Sequence, residues 1–430
     1  MSLSVRAVCA FLFIVFWAAP GRVAAAHTGQ DPVRAWNELA LHTVRTLRLS
    51  DAQAARLYAM VNVAIYDAVN GILSRRGWPE SRRHALVPAD TAPVYGDPRV
   101  AAAAAAHAVL TGEHPSLTAT YDAQLGLDVG FGHGGSAGQE WGARVGAEVR
   151  ALRTGDGSTP NESQAGGDAP GHFRASWSGV QFRNLRPFAI ASASPYVGSG
   201  PPALDSLQYA SALAEVKVQG NAAILDDAAL ATYTFWSLGA GTAQPPGAWI
   251  QVALAVTAES PLLLPEMARL FALLGMALSD TVAPTVTTKY VYHSWRPATA
   301  IRDAHTDGNA NTDPDPAWAP RAGGIGSSPE YWSGHSTFSA AGAATLAAFY
   351  CADDIPFALT TDSAAAGEVR RYASFSQAAE EAGHSRLDGG IHFRFSHQDA
   401  QAAGRAVAAE IGATALLRRH GPTHFGRCPR

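Results

Sequence analysis

Lysine is nearly absent from this chain of 430 residues: of its 32 basic residues only Lys217 and Lys289 are lysines. Arginine is therefore the habitual cation, and a lysine that does occur calls for a specific chemical reason. Positive charge is scarce as well. The formal net charge is −4, which leaves no basic surface for nucleic acid. Cysteine is limited to Cys9, Cys351 and Cys428, so at most one disulfide can persist once an N-terminal leader carrying Cys9 is removed. That disulfide would join Cys351 to Cys428 and pin the tail. Beyond the first 26 residues no stretch reaches 18 uninterrupted apolar residues, which excludes a multi-span membrane protein. Strand-type alternation, a repeat of fixed period and a long heptad run are all missing, which argues against sheet architectures, solenoids and coiled coils.

Residues 1–26 supply the one leader-like feature. Arg6 precedes an apolar run over 7–19, and Ala24, Ala25 and Ala26 form a small-residue cleavage site. This reads as a signal peptide, with the mature chain starting near His27 and exported to periplasm or medium. A membrane anchor is the other reading, but the run is short for a span. Removing the leader takes away Arg6 and Arg22, so the formal charge of −4 becomes −6, and 26 residues fewer leave 404. That length is ample for a large core.

Helical periodicity with alanine-rich faces predicts an all-α protein of helical bundles. Helices are expected at 51–73, 98–110 and 135–152 in an N-terminal region, 27–153. They are also expected at 204–218, 226–238, 248–259, 264–280, 338–350, 368–386 and 396–417 in a C-terminal bundle, 204–430. Between the two regions, 154–203 is rich in Gly, Pro and Ser without a period, as in a covering excursion. Its Asn161-Glu162-Ser163 sequon reads as chance. The Asp/Asn alternation over 307–315 lacks the Gly and Glu of a calcium loop and reads as turn chemistry.

Three segments carry the chemistry. In the first, Lys289 and Arg296 are seven residues apart, which on one helix would be two turns and one shared face. A guanidinium grips two oxygens of an anion with a rigid fork and an ammonium approaches a third. Two solvated surface charges would give the same spacing. In the second, Ser333, Gly334 and His335 open an apolar helix, whose unsatisfied N–H groups and positive dipole end favour an anion. A plain N-cap and a surface histidine would also fit. In the third, Arg386 precedes the Gly389-Gly390 pair, which should end or bend its helix and let His392 turn back toward the anion. A buried histidine bonded to a carbonyl is the alternative there.

Taken in order, K-x6-R-P, S-G-H and S-R-x5-H resemble the superfamily of vanadium-dependent haloperoxidases and type 2 phosphatidic acid phosphatases. Trp36-Asn37, the stretches 55–60 and 67–70, and Trp295 through Arg302 resemble its secreted bacterial haloperoxidase-like branch. The resemblance implies that Lys289, Arg296, Ser333, Gly334 (through its N–H) and Arg386 bind a tetrahedral oxyanion. It implies that His392 is either the axial vanadium ligand or a phosphorus nucleophile, with His335 as acid–base on the opposite side. It also implies a vanadate cofactor, for which phosphate is an isostere, with hydrogen peroxide and halide as substrates, a hypohalous species as product, and Lys289 polarising the peroxide. The other activity of the superfamily is acid phosphatase chemistry on a phosphate ester through a phosphohistidine. A third reading is a non-catalytic oxyanion-binding protein.

Two features depart from the family pattern. Trp332 stands where proline usually precedes Ser-Gly-His. Val286 and Ser328 stand where fungal-type chloroperoxidases carry aromatics. Trp295, Tyr331 and Trp332 could line a halide pocket, but they read first as core residues.

Overall fold

The computed structural model describes residues 31–77, 84–129 and 135–417, and Asp31–Arg430 clusters as one compact unit. The leader and Cys428 lie outside the described residues. Cys351 is disulfide-bonded.

The fold is all-α. Helix α1 (Pro32–Leu47) starts where Asp31 Oδ1 accepts from the N–H of Val33 at 2.8 Å, with proline in the first turn, and ends at Arg48 in the left-handed region. Helix α2 (Asp51–Arg75) is opened by a reciprocal capping box between Ser50 and Gln53, which satisfies two otherwise orphaned N–H groups. Helices α3 (Pro98–Glu113), α4 (Thr118–Val129) and α5 (Gly135–Leu152) complete the first layer. Gly138, Gly142 and Gly146 recur every fourth residue on α5 and abut the carbonyls of Asp97, the N-cap of α3, and of Ala101 and Ala105 within it, themselves four residues apart. A Cβ at any of these glycines would overlap a backbone oxygen, so the small residues on both helices set the close α3–α5 approach.

Helices α6 (Leu207–Gln219), α7 (Asp227–Phe235), α8 (Gln244–Glu259), α9 (Leu264–Asp280), α10 (Val282–Tyr292), α11 (Pro297–Arg302), α12 (Gly334–Tyr350), α13 (Phe375–Asp388) and α14 (Arg394–Thr414) follow. Helix α9 packs on α2 and joins the two halves of the core, and α12 runs against α8, α9, α13 and α14. Two stretches, Asp51–Arg75 and Leu264–Tyr292, are long and apolar enough to cross a membrane by composition. They are 83% and 89% buried within the protein, as core helices are.

Residues 154–203 hold a two-residue hairpin, β1 (Ser163–Gln164) with β2 (Trp177–Ser178), and short 3-10 turns. They are tied down at two places. Asp280, at the end of α9, accepts from the N–H groups of Phe188, Ala189 and Ile190 at 2.6, 2.8 and 3.0 Å. The N–H of Phe173 donates to His293 O, and the N–H of Trp295 donates to Gly171 O, both at 2.8 Å.

Three expectations need correction. Lys289 and Arg296 do not share a helix: α10 ends at Tyr292, His293 takes φ 44°, and Arg296 is the N-cap of α11 ahead of Pro297. The helix expected at 368–386 begins at Phe375, because Arg370–Tyr372 forms strand β4, paired antiparallel with β3 (Phe357–Leu359). Helices α1 and α4 were not anticipated. Over 307–315, Asp307 accepts from the N–H of Asn309 and the hydroxyl of Thr312 at 2.8 Å each, the hydrogen bonding of a turn.

Candidate active site

Lys289 sits in the last turn of α10, and its ammonium donates to the carbonyls of Pro329 and Glu330. The chain then reverses through His293 to Trp295. This reversal is clamped on one side by the covering segment and on the other by the N–H groups of Glu330 and Tyr331, which donate to Ser294 O and Ser294 Oγ at 2.9 Å. The clamp delivers Arg296 to the same place as Lys289 without a shared helix. Arg296 donates to Ser328 O at 2.8 Å, to Ile391 O at 2.7 Å and, through one terminal nitrogen, to His392 Nε2 at 3.1 Å.

Ser333 is the N-cap of α12, its oxygen accepting from the N–H of Ser336 at 3.3 Å. The preceding Tyr331–Trp332 peptide is cis, and Trp332 is buried with its indole N–H on Thr285 Oγ1 at 3.2 Å. A Cβ at Gly334 would meet nothing nearer than Asp51 Oδ2 at 3.8 Å. The space beside this helix start is open, as an approaching anion requires. Half-buried His335 places Nε2 3.2 Å from Ser237 O. A carbonyl can only accept, so Nε2 carries the proton and Nδ1 is left as the basic nitrogen. Arg386, on α13, donates to Trp236 O at 3.2 Å and lies over the Tyr233 ring at 4.9 Å, while its Nε has no partner. Helix α13 ends at Asp388, Gly390 takes φ 71°, and His392 comes back to Arg296 beyond the break, as the glycine pair suggested.

Glu330 is the residue that the sequence did not flag. It is fully buried, and its Oε1 lies 2.8 Å from His392 Nδ1 and accepts from the N–H of Phe393 at 3.0 Å. An arginine can only donate, so His392 Nε2, facing Arg296, must be an acceptor. The imidazole proton is therefore on Nδ1 and donates to Glu330. The carboxylate thus fixes the tautomer that turns the Nε2 lone pair into the cage.

The electrostatics follow from crowding cations in a dry place. Burial first, then the Arg296 charge, pulls Lys289 well below its ordinary value, against the pull of the Glu330 and Asp51 carboxylates. Burial lowers Arg296 and Arg386 to about 10, still cationic. Burial, followed by Arg386 for His335 and by Arg296 for His392, holds both histidines well below the usual range, so both are neutral at neutral pH. Burial pushes Glu330 up. Among the described residues no carboxylate lies within ion-pair distance of Lys289, Arg296 or Arg386. Three buried cations outnumber the nearby Glu330 and Asp51 carboxylates, and none is in contact with either; uncompensated buried charge is costly, and the unpartnered Arg386 Nε asks for an acceptor. A tetrahedral oxyanion answers both, so the donor set fits vanadate or phosphate.

Trp295, Tyr331 and Trp332 are all buried, in a cluster with Tyr209, Trp318, Phe393 and Phe395. They are core residues, in keeping with the preferred reading. Ser328, Ile391, Trp236 and Ser237 enter the site through backbone carbonyls, which no side-chain pattern discloses.

Comparison with known proteins agrees with this architecture. Residues 269–419 match the family model of the VCPO second helical-bundle domain, a span from α9 to just past α14 that contains every cage residue. The fold matches the crystal structure of the first bacterial vanadium-dependent iodoperoxidase with a TM-score of 0.73 at 22% identity, covering 88% of this chain and 95% of that one. It matches apo- and holo-type bacterial vanadium-dependent chloroperoxidase with TM-scores of 0.62 and 0.60 at 12% and 14% identity. Those matches cover 83% and 86% of this chain and 93% and 96% of the others. No curated protein sequence matches the chain. The domain match and the shared fold support the vanadium haloperoxidase superfamily, as the three motifs implied.

Proposed function

We propose that this protein is a vanadate-dependent haloperoxidase-like enzyme that oxidises a halide with hydrogen peroxide. The observation that carries the proposal is the convergence of three buried cations, none in ion-pair contact with a carboxylate, on a histidine whose proton is held by Glu330 and whose Nε2 lone pair faces them. Vanadate, when bound, supplies a Lewis-acidic centre for peroxide activation. The fold neighbours are vanadium-dependent iodo- and chloroperoxidases, and the proposal carries their chemistry over to this cage.

Each residue then has a definite task. The guanidinium groups of Arg296 and Arg386, the Lys289 ammonium, the Ser333 hydroxyl and the Gly334 N–H hold the oxyanion's oxygens and balance their charge. His392 presents Nε2 as the protein ligand. His335 Nδ1, on the half-buried side, takes a proton from peroxide and returns one as hypohalous acid and water form from peroxide, halide and a proton. An enzyme of this kind would work outside the cytoplasm, after cleavage of its leader near Ala26.

The test is halogenation of a dye by residues 27–430 with bromide or iodide and hydrogen peroxide, with and without orthovanadate. Vanadate-dependent turnover is expected. No turnover, together with phosphate-ester hydrolysis that vanadate inhibits, would mean that the cage is a phosphatase site.

A further inference from the structure

A line of hydrogen bonds runs from the surface to the oxyanion-binding serine. Glu380 Oε1, on α13, lies 3.2 Å from His397 Nε2, on α14. His397 Nδ1 lies 2.9 Å from Ser336 Oγ, and Ser336 Oγ lies 2.9 Å from Ser333 Oγ at the start of α12. His397, Ser336 and Ser333 are buried, whereas the Glu380 side chain is 59% exposed. Gln401 Nε2 holds the other carboxylate oxygen at 2.8 Å. Room for the line is made by Gly383: a Cβ there would overlap Cε1 and Nδ1 of the His397 ring and come within 3.0 Å of Ser336 Oγ. Three helices are thus shaped around one contact between an imidazole and a hydroxyl.

A hydroxyl has one proton, so this line has a direction. With His397 neutral and its proton on Nε2 toward Glu380, Nδ1 is an acceptor. Ser336 then donates to His397 and no longer to Ser333 Oγ, which keeps only the Ser336 N–H and, accepting no hydroxyl proton, is the weaker donor to the cage. With one more proton from solvent, His397 is an imidazolium paired with the Glu380 carboxylate. Nδ1–H donates to Ser336 Oγ, Ser336 donates to Ser333 Oγ, and the Ser333 proton is left for the cage. The geometry points to His397 as a positioning residue that sets, through Ser336, how strongly Ser333 donates to the bound oxyanion. This rests on the reading of the cage as an oxyanion site.

The groups facing His397 are Glu380 and His384 from α13, Arg394 from α14 and the Ser336 hydroxyl from α12. Burial, with His384 and Arg394, outweighs Glu380 and holds the imidazole below its ordinary value. The empty site at neutral pH therefore keeps His397 neutral. A bound dianion, by demanding a donor from Ser333, draws the extra proton onto it, and by linkage that proton tightens the anion.

The experiment is calorimetric titration of inorganic phosphate into residues 27–430 between about pH 5.5 and 8, with the ¹⁵N resonances of His397 followed in parallel. In the wild type, phosphate is expected to move His397 to imidazolium values. Glu380→Gln, a change at an exposed position, removes the imidazolium's partner and is expected to weaken phosphate binding about tenfold at neutral pH, the scale of one charge-assisted hydrogen bond. His397→Ala removes the acceptor that competes for the Ser336 proton, so it should keep affinity, lose part of the pH dependence and rescue Glu380→Gln in the double variant. His397→Asn, whose amide N–H takes the donor place of Nδ1–H without titrating, should likewise keep affinity and flatten part of its pH dependence. Wild-type affinity in Glu380→Gln, with the wild-type His397 neutral throughout, would overturn the assignment and leave the line a structural network. Failure of the wild type to bind phosphate or orthovanadate at all would overturn the oxyanion reading with it.

Discussion

Replacing Glu330 by glutamine changes one atom and removes the buried carboxylate that both orients His392 and offsets the charges of Lys289 and Arg296. The amide oxygen can still accept from His392 Nδ1 and from the N–H of Phe393, so the fold should survive. What is lost is the negative charge that makes Nε2 a stronger base and holds Lys289 protonated. Partners behind a ligating histidine are typically worth about 10- to 100-fold in affinity or activity, or roughly 1.4–2.7 kcal/mol. Equilibrium binding of orthovanadate is therefore expected to weaken by about that factor in Glu330→Gln, with a matching loss of reconstituted halogenation. Glu330→Ala should lose stability as well, since the Phe393 N–H would be buried without an acceptor, at about 1–3 kcal/mol, and His392 Nδ1–H would keep only Ser396 Oγ at 3.4 Å. Wild-type vanadate affinity and turnover in Glu330→Gln would refute the claim that this carboxylate tunes the site.

Other expectations follow from the same structure. Lys289, pulled below its ordinary value, should lose its charge as pH rises earlier than a solvated lysine would. Because the cation favours the anion, phosphate affinity should fall with rising pH, and Lys289→Arg, charged throughout, should shift that fall to higher pH in a calorimetric series. Gly142→Ala would drive a Cβ into the carbonyl of Ala101, an overlap that backbone cannot relieve cheaply. A thermal or urea melt should show about 1–3 kcal/mol lost. Asp280→Asn leaves at least one of the three N–H groups of 188–190 poorly met, for about 1–3 kcal/mol, and hydrogen exchange should show 188–190 opening first.

Much of the fold was legible because long helices announce themselves by period and by caps. The bounds of α5 and α9 match the expected 135–152 and 264–280. The buried stripe Val33, Trp36, Ala40, Leu41 and Val44 of α1 carries the same signal and was passed over. Helix α4 buries only Tyr121, so it has almost no stripe to read. The three motifs, with their three cations and two histidines, meet in space, but a spacing of seven suggests one helix face for Lys289 and Arg296, and the left-handed His293 abolishes it. Glu330 and the relay through His397 were illegible for a different reason. Their meaning lies in pairs 62 and 61 residues apart in sequence, which helical periodicity does not encode.

The central claim is that this cage holds an oxyanion with His392 as its protein ligand, and equilibrium dialysis of orthovanadate into the wild type and His392→Ala tests it most directly. Saturable binding of one vanadate per chain, weakened at least about tenfold by the substitution, is the outcome expected. No saturable binding by the wild type, or equal affinity in both proteins, would contradict the account.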